Sequence, residues 1–272
     1  MRRISWLALI SAVILLIVIL FATVGAWVLG DSITQDALLG VTPPGTPGHI
    51  FGTDVLGRDI VALSIAGTQS AVIGPVAIAL GSMLLGMLLG TVSGYQGGWI
   101  DLLLSKYADL LLALPVTLVA LVVAGLVGGG YWVTVVVLVV LFSPTDIRMM
   151  RSAVMTQSTR PYIESAKVLG LSRWRIMFRH ILPNVIPIAI ATMLLNVAFA
   201  LVAMSALSFL GLGVGPGEPD WGRQLADGRN LLTQNPAAVI VPGLLLILTA
   251  TAINLTGDWV QERYSARAEA IA

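Results

Sequence analysis

Long apolar stretches without charges, separated by shorter polar segments, dominate the pattern of the chain. Six of them reach the roughly 20 residues that a helix needs to cross the hydrocarbon core of a bilayer. They cover residues 6–29, 70–92, 102–126, 132–150, 185–210 and 238–256. The pattern predicts an all-α integral membrane protein with about six transmembrane helices.

Composition agrees with this interpretation. Of the 272 residues, 57% are hydrophobic and 11% are charged, whereas soluble domains carry about 25% charged residues. There is no cysteine, and His49 and His180 are the only histidines, which excludes disulfides, thiolate metal sites and cysteine nucleophiles. We expect one membrane domain without a metal site.

The first apolar stretch follows Arg2 and Arg3 and could be mistaken for a cleaved signal peptide. It is longer than the apolar region of such peptides, about 7–15 residues, and no convincing small-residue cleavage site precedes Asp31. We therefore expect residues 1–30 to form an uncleaved N-terminal anchor helix.

Charge in the loops predicts the orientation. Residues 148–183 contain seven Lys or Arg residues and one acidic residue, while residues 30–69 contain four aspartates and a single arginine. Because positively charged loops stay in the cytoplasm, the 148–183 loop and both termini are predicted to be cytoplasmic. The expected organisation after the anchor is an extracytoplasmic loop at 31–67, a five-helix core at 68–257 with a cytoplasmic loop at 148–184, and a cytoplasmic tail at 258–272.

Small and charged residues within the stretches give two further expectations. Gly81, Gly86 and Gly90 lie near one helical stripe, which favours close helix packing, although a gating role stays open. Lys106 and Asp109, near the cytoplasmic end of the third stretch, are expected to pair. The second, fourth, fifth and sixth stretches are taken to have essentially uncharged interiors, which argues against an ion-coupled carrier.

The basic loop is predicted to hold two short helices with a break between them. Thr159 is expected to cap the first helix, and Gly170 to end it in the left-handed conformation. Ser172 is expected to cap the second helix, which Pro183 ends. A basic amphipathic loop could lie on anionic lipid, but two capped helices around a glycine favour docking of a partner protein.

The residues of this loop resemble a known motif. Glu164-Ser165-Ala166, followed by Gly170 and by Ile181-Leu182-Pro183, is similar to the EAA motif of bacterial ABC importer permeases. Other segments resemble the dipeptide/oligopeptide branch, and within it the C-type subunit. They are residues 51–59, 94–98 with Asp101, 179–184, 207–213 and 254–258.

The resemblance implies an ABC importer type I transmembrane fold in the bacterial plasma membrane. It also implies a homologous second permease subunit, two cytoplasmic ATPase domains and an extracytoplasmic substrate-binding protein as partners, with lipid around the helices. The ATPase-coupling loop would consist of Glu164, Ser165, Ala166, Leu169, Gly170, Ile181, Leu182 and Pro183. Two positions depart from the family pattern: Ser165 stands where Ala is frequent, and Met204 where Glu is frequent.

The chain carries no catalytic motif of its own. Its only lysines, Lys106 and Lys167, do not follow glycine, so there is no phosphate-binding P-loop. We expect no enzyme activity, no cofactor and no nucleic-acid partner, with ATP and Mg bound by the partner ATPase subunits.

The substrate and its path remain open at this stage. Asn196, Met204, Ser205 and Ser208 are candidates to line the translocation path, while hydrogen bonding between helices is the other interpretation of the polar ones. The resemblance to the dipeptide/oligopeptide branch implies di- or oligopeptides as cargo. The alternatives are a permease for nickel or glutathione, or an ion-coupled secondary carrier.

Two glycine-rich outer segments have two interpretations each. Residues 49–59 and 211–220 are either self-contained turns at helix ends or contact surfaces for the binding protein or the sister subunit. Trp221 is expected to anchor the second segment at the membrane interface.

Overall fold

The computed structural model describes residues 6–28, 34–36 and 38–271 of the chain. Within these ranges all regular secondary structure is helical, and β-structure is limited to two isolated bridges, Thr46 with His49 and Thr53 with Asp59. The all-α prediction is confirmed.

Eleven α-helices follow one another in the described part of the chain. Their bounds are α1 Trp6–Val28, α2 Ile60–Ala66, α3 Thr68–Gln96, α4 Gly98–Leu112, α5 Val116–Val127, α6 Tyr131–Ser158, α7 Pro161–Val168, α8 Arg173–Arg175, α9 Leu182–Phe209, α10 Trp221–Gly228 and α11 Ala237–Ile271. A π-helical turn, Ile176–Ile181, joins α8 to α9, and a 3-10 turn, Arg229–Leu231, follows α10.

Five helical stretches in this part of the chain are long and apolar enough to cross a membrane. They are Trp6–Gly25, Ile60–Gln96, Tyr131–Ser158, Arg173–Phe209 and Ala237–Glu262. The helices α4 and α5 pass the same test only as a pair and are bent by 90° at their junction, as in a broken span or a re-entrant loop. The bend falls just before Pro115, which caps α5 with extended backbone, because a proline disfavours the helical conformation of the residue before it.

The centre of the bundle is the crossing of α3 and α6. An added Cβ on Gly86 would lie 2.5 Å from the Cβ of Asp146, and one on Gly90 would lie 2.7 Å from the carbonyl oxygen of Ile147. Both distances are far below van der Waals contact, so only glycine permits this approach. The predicted close packing along the glycine stripe is confirmed.

Ion pairs attach α4 to α6 near the end where α3 finishes. Asp109 pairs with Arg148, and Asp101 accepts hydrogen bonds from Arg151 at 2.5 Å and from Ser93 at 2.5 Å. The predicted pairing of Asp109 with Lys106 is wrong. The arginines of the neighbouring helix α6 offer Asp109 a closer partner than the same helix does.

At the opposite end of the bundle, the 38–59 segment folds into a hydrogen-bonded turn. Asp54 accepts from the backbone N–H groups of Leu56 and Arg58 and forms a buried ion pair with the Arg58 guanidinium at 2.6 Å. Asp59 caps α2 by accepting from the N–H of Ala62 at 2.9 Å. The predicted self-capped turn is confirmed, and its contact with a partner stays a prediction.

Trp221 does not anchor the neighbouring segment at the membrane interface, so that prediction is wrong. Its side chain is only 1% exposed, and its indole N–H donates to the carbonyl of Ser64 at 2.8 Å. Asp220 caps α10 in front of it by accepting from the N–H of Arg223. This cap turns the indole inward, onto α2.

Candidate functional site

The predicted coupling segment is a short helix, α7, between the ends of α6 and α8. Pro161 opens it at the position where a missing N–H costs nothing. Arg160, with extended backbone and no side-chain cap, precedes it. The predicted cap by Thr159 is wrong because α6 continues to Ser158, and the Thr159 hydroxyl donates back to Thr156 at 3.0 Å as part of the end of that helix.

Gly170 ends α7 as predicted. Its φ of +72° lies in the left-handed region, which costs glycine nothing. The N–H of Gly170 donates to the carbonyl of Lys167, and that of Leu171 donates to the carbonyl of Ala166 at 3.2 Å. This is the Schellman arrangement, which turns the chain sharply after the helix.

Ser172 begins the next helix as predicted, since its hydroxyl accepts from the N–H of Arg175. Pro183 does not end that helix, contrary to the prediction. The helical stretch runs from Arg173 to Phe209 through the π-helical turn, and Pro183 lies in the first turn of α9. Proline is tolerated at such a place because a first turn does not need its N–H.

One face of α7 is fixed in the protein and the other is open. Ile163 and Ala166 are buried in a cluster with Ile176 and Ile181 of the π-helical turn. Val168 and Leu169 are 88% and 78% exposed. The remaining predicted coupling residues divide between the two faces: Glu164, Ser165, Gly170 and Pro183 are exposed, and Leu182 is half-buried.

Exposed positive charge is concentrated in the segments on both sides of α7. Arg160, Arg173, Arg175 and Arg179 are all exposed. The Lys167 ammonium lies 5.8 Å from the centre of the Tyr95 ring, at the end of α3, in the range of a cation–π contact. A partner with acidic groups around an apolar cleft would complement such a surface.

The candidate path residues are buried between helices of this chain. Asn196, Met204, Ser205 and Ser208 all belong to α9 and are less than about a tenth exposed. Asn196 donates to the Oδ1 atom of Asp146 at 2.7 Å. For Asn196, hydrogen bonding between helices is therefore what the structure contains.

Asp146 is a candidate functional residue that was not predicted from the sequence. It lies inside α6, is completely buried, and its Oδ2 atom has no hydrogen-bond partner in the described part of the chain. The statement that the fourth stretch has an uncharged interior is therefore wrong. The aspartate lies two residues before the basic loop that begins at Arg148, and α6 continues for twelve residues beyond it, to Ser158.

Comparison with known proteins identifies the family. Residues 82–269 match the family model described as binding-protein-dependent transport system inner membrane component. This range covers α4 to α10 completely and therefore includes the whole of the α7 region.

Three similar proteins extend this match. A dipeptide transport system permease protein of Haemophilus influenzae is 32% identical over 94% of this chain and 88% of its own length. A di/tripeptide transport system permease protein of Pseudomonas aeruginosa is also 32% identical, over 94% and 86%. A glutathione transport system permease protein of Pectobacterium atrosepticum is 35% identical over 79% and 71%.

The helical architecture, the multiple apolar spans and these matches agree with the resemblance to ABC importer permeases found in the sequence. The chain therefore belongs to the family of inner membrane components of binding-protein-dependent transport systems, the permease subunits of ABC importers.

Proposed function

We propose that this chain moves small peptides across the bacterial plasma membrane, as one of two permease subunits that share a path. Two of the relatives above are named for dipeptide or di/tripeptide transport. The third is named for glutathione, which is itself a small peptide. A permease for peptides of two or three residues is the function that these names have in common.

The second part of the proposal is that an ATPase docks at the exposed C-terminal end of α7, the tip formed by Val168 and Leu169. Val168 and Leu169 are adjacent, large, apolar and almost fully exposed. The Schellman turn at Gly170 holds them at the tip, while Ile163 and Ala166 fix the opposite face. Because such a side-chain pair loses contact with water only against a partner, the tip fits an apolar cleft in a cytoplasmic ATPase subunit.

ATP hydrolysis is assigned to that partner because this chain has no phosphate-binding loop. We infer a cytoplasmic location for α7 and for both termini, from the charge of the loops. Closure of two ATPase domains would displace α7 and change which side of the membrane the shared path opens to. An extracytoplasmic binding protein would deliver the peptide.

Membership of the ABC importer permease family favours an ATP-driven transporter over an ion-coupled carrier. The sequence pattern does not do so, because the spans contain a carboxyl group, that of Asp146 inside α6.

The docking proposal is tested in the transporter assembled with its ATPase subunits and binding protein. Leu169→Asp places a charge at the tip, and Gly170→Val disfavours the left-handed turn that forms it. We expect both variants to lose co-purification of the ATPase and most of the ATPase stimulation by peptide-loaded binding protein. The matched control is Leu38→Asp, which changes a fully exposed leucine at the other end of the bundle and should retain the ATPase.

Unchanged co-purification and stimulation in both tip variants would show that α7 is not the docking segment. The cargo is tested separately, by uptake of a labelled dipeptide into proteoliposomes in competition with glutathione and with Ni²⁺. Competition by Ni²⁺ alone would refute the peptide assignment.

A further inference from the structure

A chain of polar contacts joins α7 to the two helices on either side of it. The Tyr162 hydroxyl, on α7, lies 3.2 Å from Oε1 of Gln157 at the end of α6 and 3.4 Å from the carbonyl oxygen of His180 in the π-helical turn. The side-chain amide of Asn184, on α9, donates to that carbonyl at 2.6 Å and to the Tyr162 hydroxyl at 3.3 Å. The end of α6, the π-helical turn and the first turn of α9 therefore all contact one hydroxyl group, that of Tyr162 on α7.

The number of donor hydrogen atoms decides which of these hydrogen bonds can form at the same time. A side-chain amide has two N–H hydrogens and a phenol has one. Asn184 uses both of its hydrogens, on His180 and on Tyr162. The single hydrogen of Tyr162 then has two competing acceptors, Gln157 on α6 and the carbonyl of His180. The hydroxyl can therefore donate to α6 or to the π-helical turn, but not fully to both.

The π-helical turn beside this hydroxyl is an irregular helical element. The N–H of Leu182 donates to the carbonyl of Met177, five residues earlier, rather than four as in an α-helix. Such turns contain one extra residue, and returning to the α-helical register moves that residue along the helix. The α-helical register is the second arrangement open to this turn, and two discrete arrangements are what an element that transmits a conformational change requires.

Apolar packing places the turn against α7. Ile176 and Ile181 of the turn share a buried cluster with Ile163 and Ala166 of α7. The turn continues directly into α9, the helix that carries Asn196 and the other candidate path residues. The turn is therefore the direct structural connection between α7 and α9.

We propose that Tyr162 and Asn184 are positioning residues that transmit the displacement of α7 to α9 through the carbonyl group of His180. This inference rests on the proposed docking of α7 to an ATPase. It assigns these two residues a role in how much transport each ATP supports, whereas the tip residues Val168 and Leu169 make the contact with the ATPase.

The test measures peptide taken up per ATP hydrolysed, in proteoliposomes containing the complete transporter. Tyr162→Phe and Asn184→Ala each break the chain of contacts, and both residues are exposed, so neither change opens a cavity in the core. We expect each to lower the ratio about threefold to tenfold, the range given by the loss of one or two hydrogen bonds. The transport ratio of the double variant should fall no further than that of the more strongly affected single variant, because both residues act through the same chain of polar contacts.

Tyr107→Phe is the matched control. It removes a phenolic hydroxyl that contacts the carbonyl of Val140 and the hydroxyl of Ser143, far from α7 along α6. Its ratio should stay close to that of the unchanged transporter.

Docking is followed independently in the same samples. The chain contains no cysteine, so Val168→Cys introduces a single thiol at the tip for cross-linking to the ATPase. The Tyr162 and Asn184 variants should keep the cross-link while the transport ratio falls.

The possible results separate the two proposals. No cross-link from Val168→Cys in the otherwise unchanged chain would refute the docking and, with it, the transmission. Cross-links at full yield with an unchanged ratio in the Tyr162 and Asn184 variants would overturn the transmission alone. Additive effects in the double variant, or loss of the cross-link in either single variant, would also overturn it, because the residues would then act separately or at the docking surface.

Discussion

The close crossing of α3 and α6 allows a quantitative test at Gly86. In Gly86→Ala the new methyl group would lie 2.5 Å from the Cβ atom of Asp146 and 2.9 Å from its carbonyl carbon. Because these atoms belong to or adjoin the backbone of α6, they cannot yield as the end of a flexible side chain does. The two helices must move apart or shift along each other.

Gly125→Ala isolates the energy of that displacement. Gly125 lies within α5, and a Cβ added there meets no atom within 4 Å. Both substitutions gain the same helix propensity, up to about 1 kcal/mol, but only the one at Gly86 overpacks an interior, which costs about 1–3 kcal/mol. The difference between the two variants is therefore expected to be about 1–3 kcal/mol.

Thermal unfolding of the purified protein in one detergent, followed by tryptophan fluorescence, measures this difference. At about 2–4 °C per kcal/mol, Gly86→Ala should unfold several degrees below Gly125→Ala. Gly86→Leu, which adds three more carbon atoms at the same place, should unfold lower still or fail to fold. Equal unfolding temperatures for the two alanine variants would refute the conclusion that α3 and α6 cross at this distance.

Three further perturbations address polar groups outside α7. Arg58→Ala leaves the buried carboxylate of Asp54 without its partner, and we expect a loss of about 3–5 kcal/mol in thermal or denaturant unfolding; an unchanged midpoint would contradict the buried ion pair. Asn196→Leu removes the donor to Asp146 and should cost about 1–3 kcal/mol, whereas a neutral result would show that this hydrogen bond is not formed. Burial raises the pKa of Asp220, so the contribution of its carboxyl group to stability is complete below the pKa of the unfolded chain and is lost as the pH rises through the folded pKa. Asp220→Asn is neutral at every pH, so its unfolding temperature relative to the native chain should rise as the pH is raised above about 4, the ordinary pKa of an aspartate; a relative fall would refute the direction of the shift.

Two of the wrong predictions placed a side chain with the wrong partner, because that partner is distant in the sequence. Asp109 was assigned to Lys106 on its own helix and pairs with Arg148 on α6. Trp221 was assigned to the membrane interface, but α2 lies close enough to bury it. Residues separated by tens of positions compete for the same group, and their distances are fixed only when the helices pack.

The errors at helix ends have a related cause. Thr159 was expected to open a helix, but α6 extends further than its apolar residues do and includes that position in its last turn. Pro183 was expected to end a helix, but the π-helical turn before it lets the helical stretch continue. Helix ends depend on hydrogen bonds to neighbouring elements, which hydrophobic patterning does not contain.

The amino-acid sequence alone determined the features that depend on local chemistry. Lipid offers no hydrogen bonds to the backbone, so the length of the apolar stretch was enough to predict a spanning helix in five of the six cases. The third stretch is instead bent by 90° between α4 and α5. Gly170 and Ser172 were recognised because a left-handed residue and a helix cap each involve only the next few residues. The stripe with Gly86 and Gly90 predicted a close helix contact, although not which helix makes it.

The tertiary structure decided which groups meet. Only the packing of α6 against α3 buries Asp146, and only its packing against α9 brings Asn196 to that carboxyl group. Only the position of the π-helical turn beside α7 brings Asn184 within reach of Tyr162, 22 residues earlier in the chain. The sequence specifies each of these groups, but their distances follow from the packing of all the helices together, so no local pattern contains them.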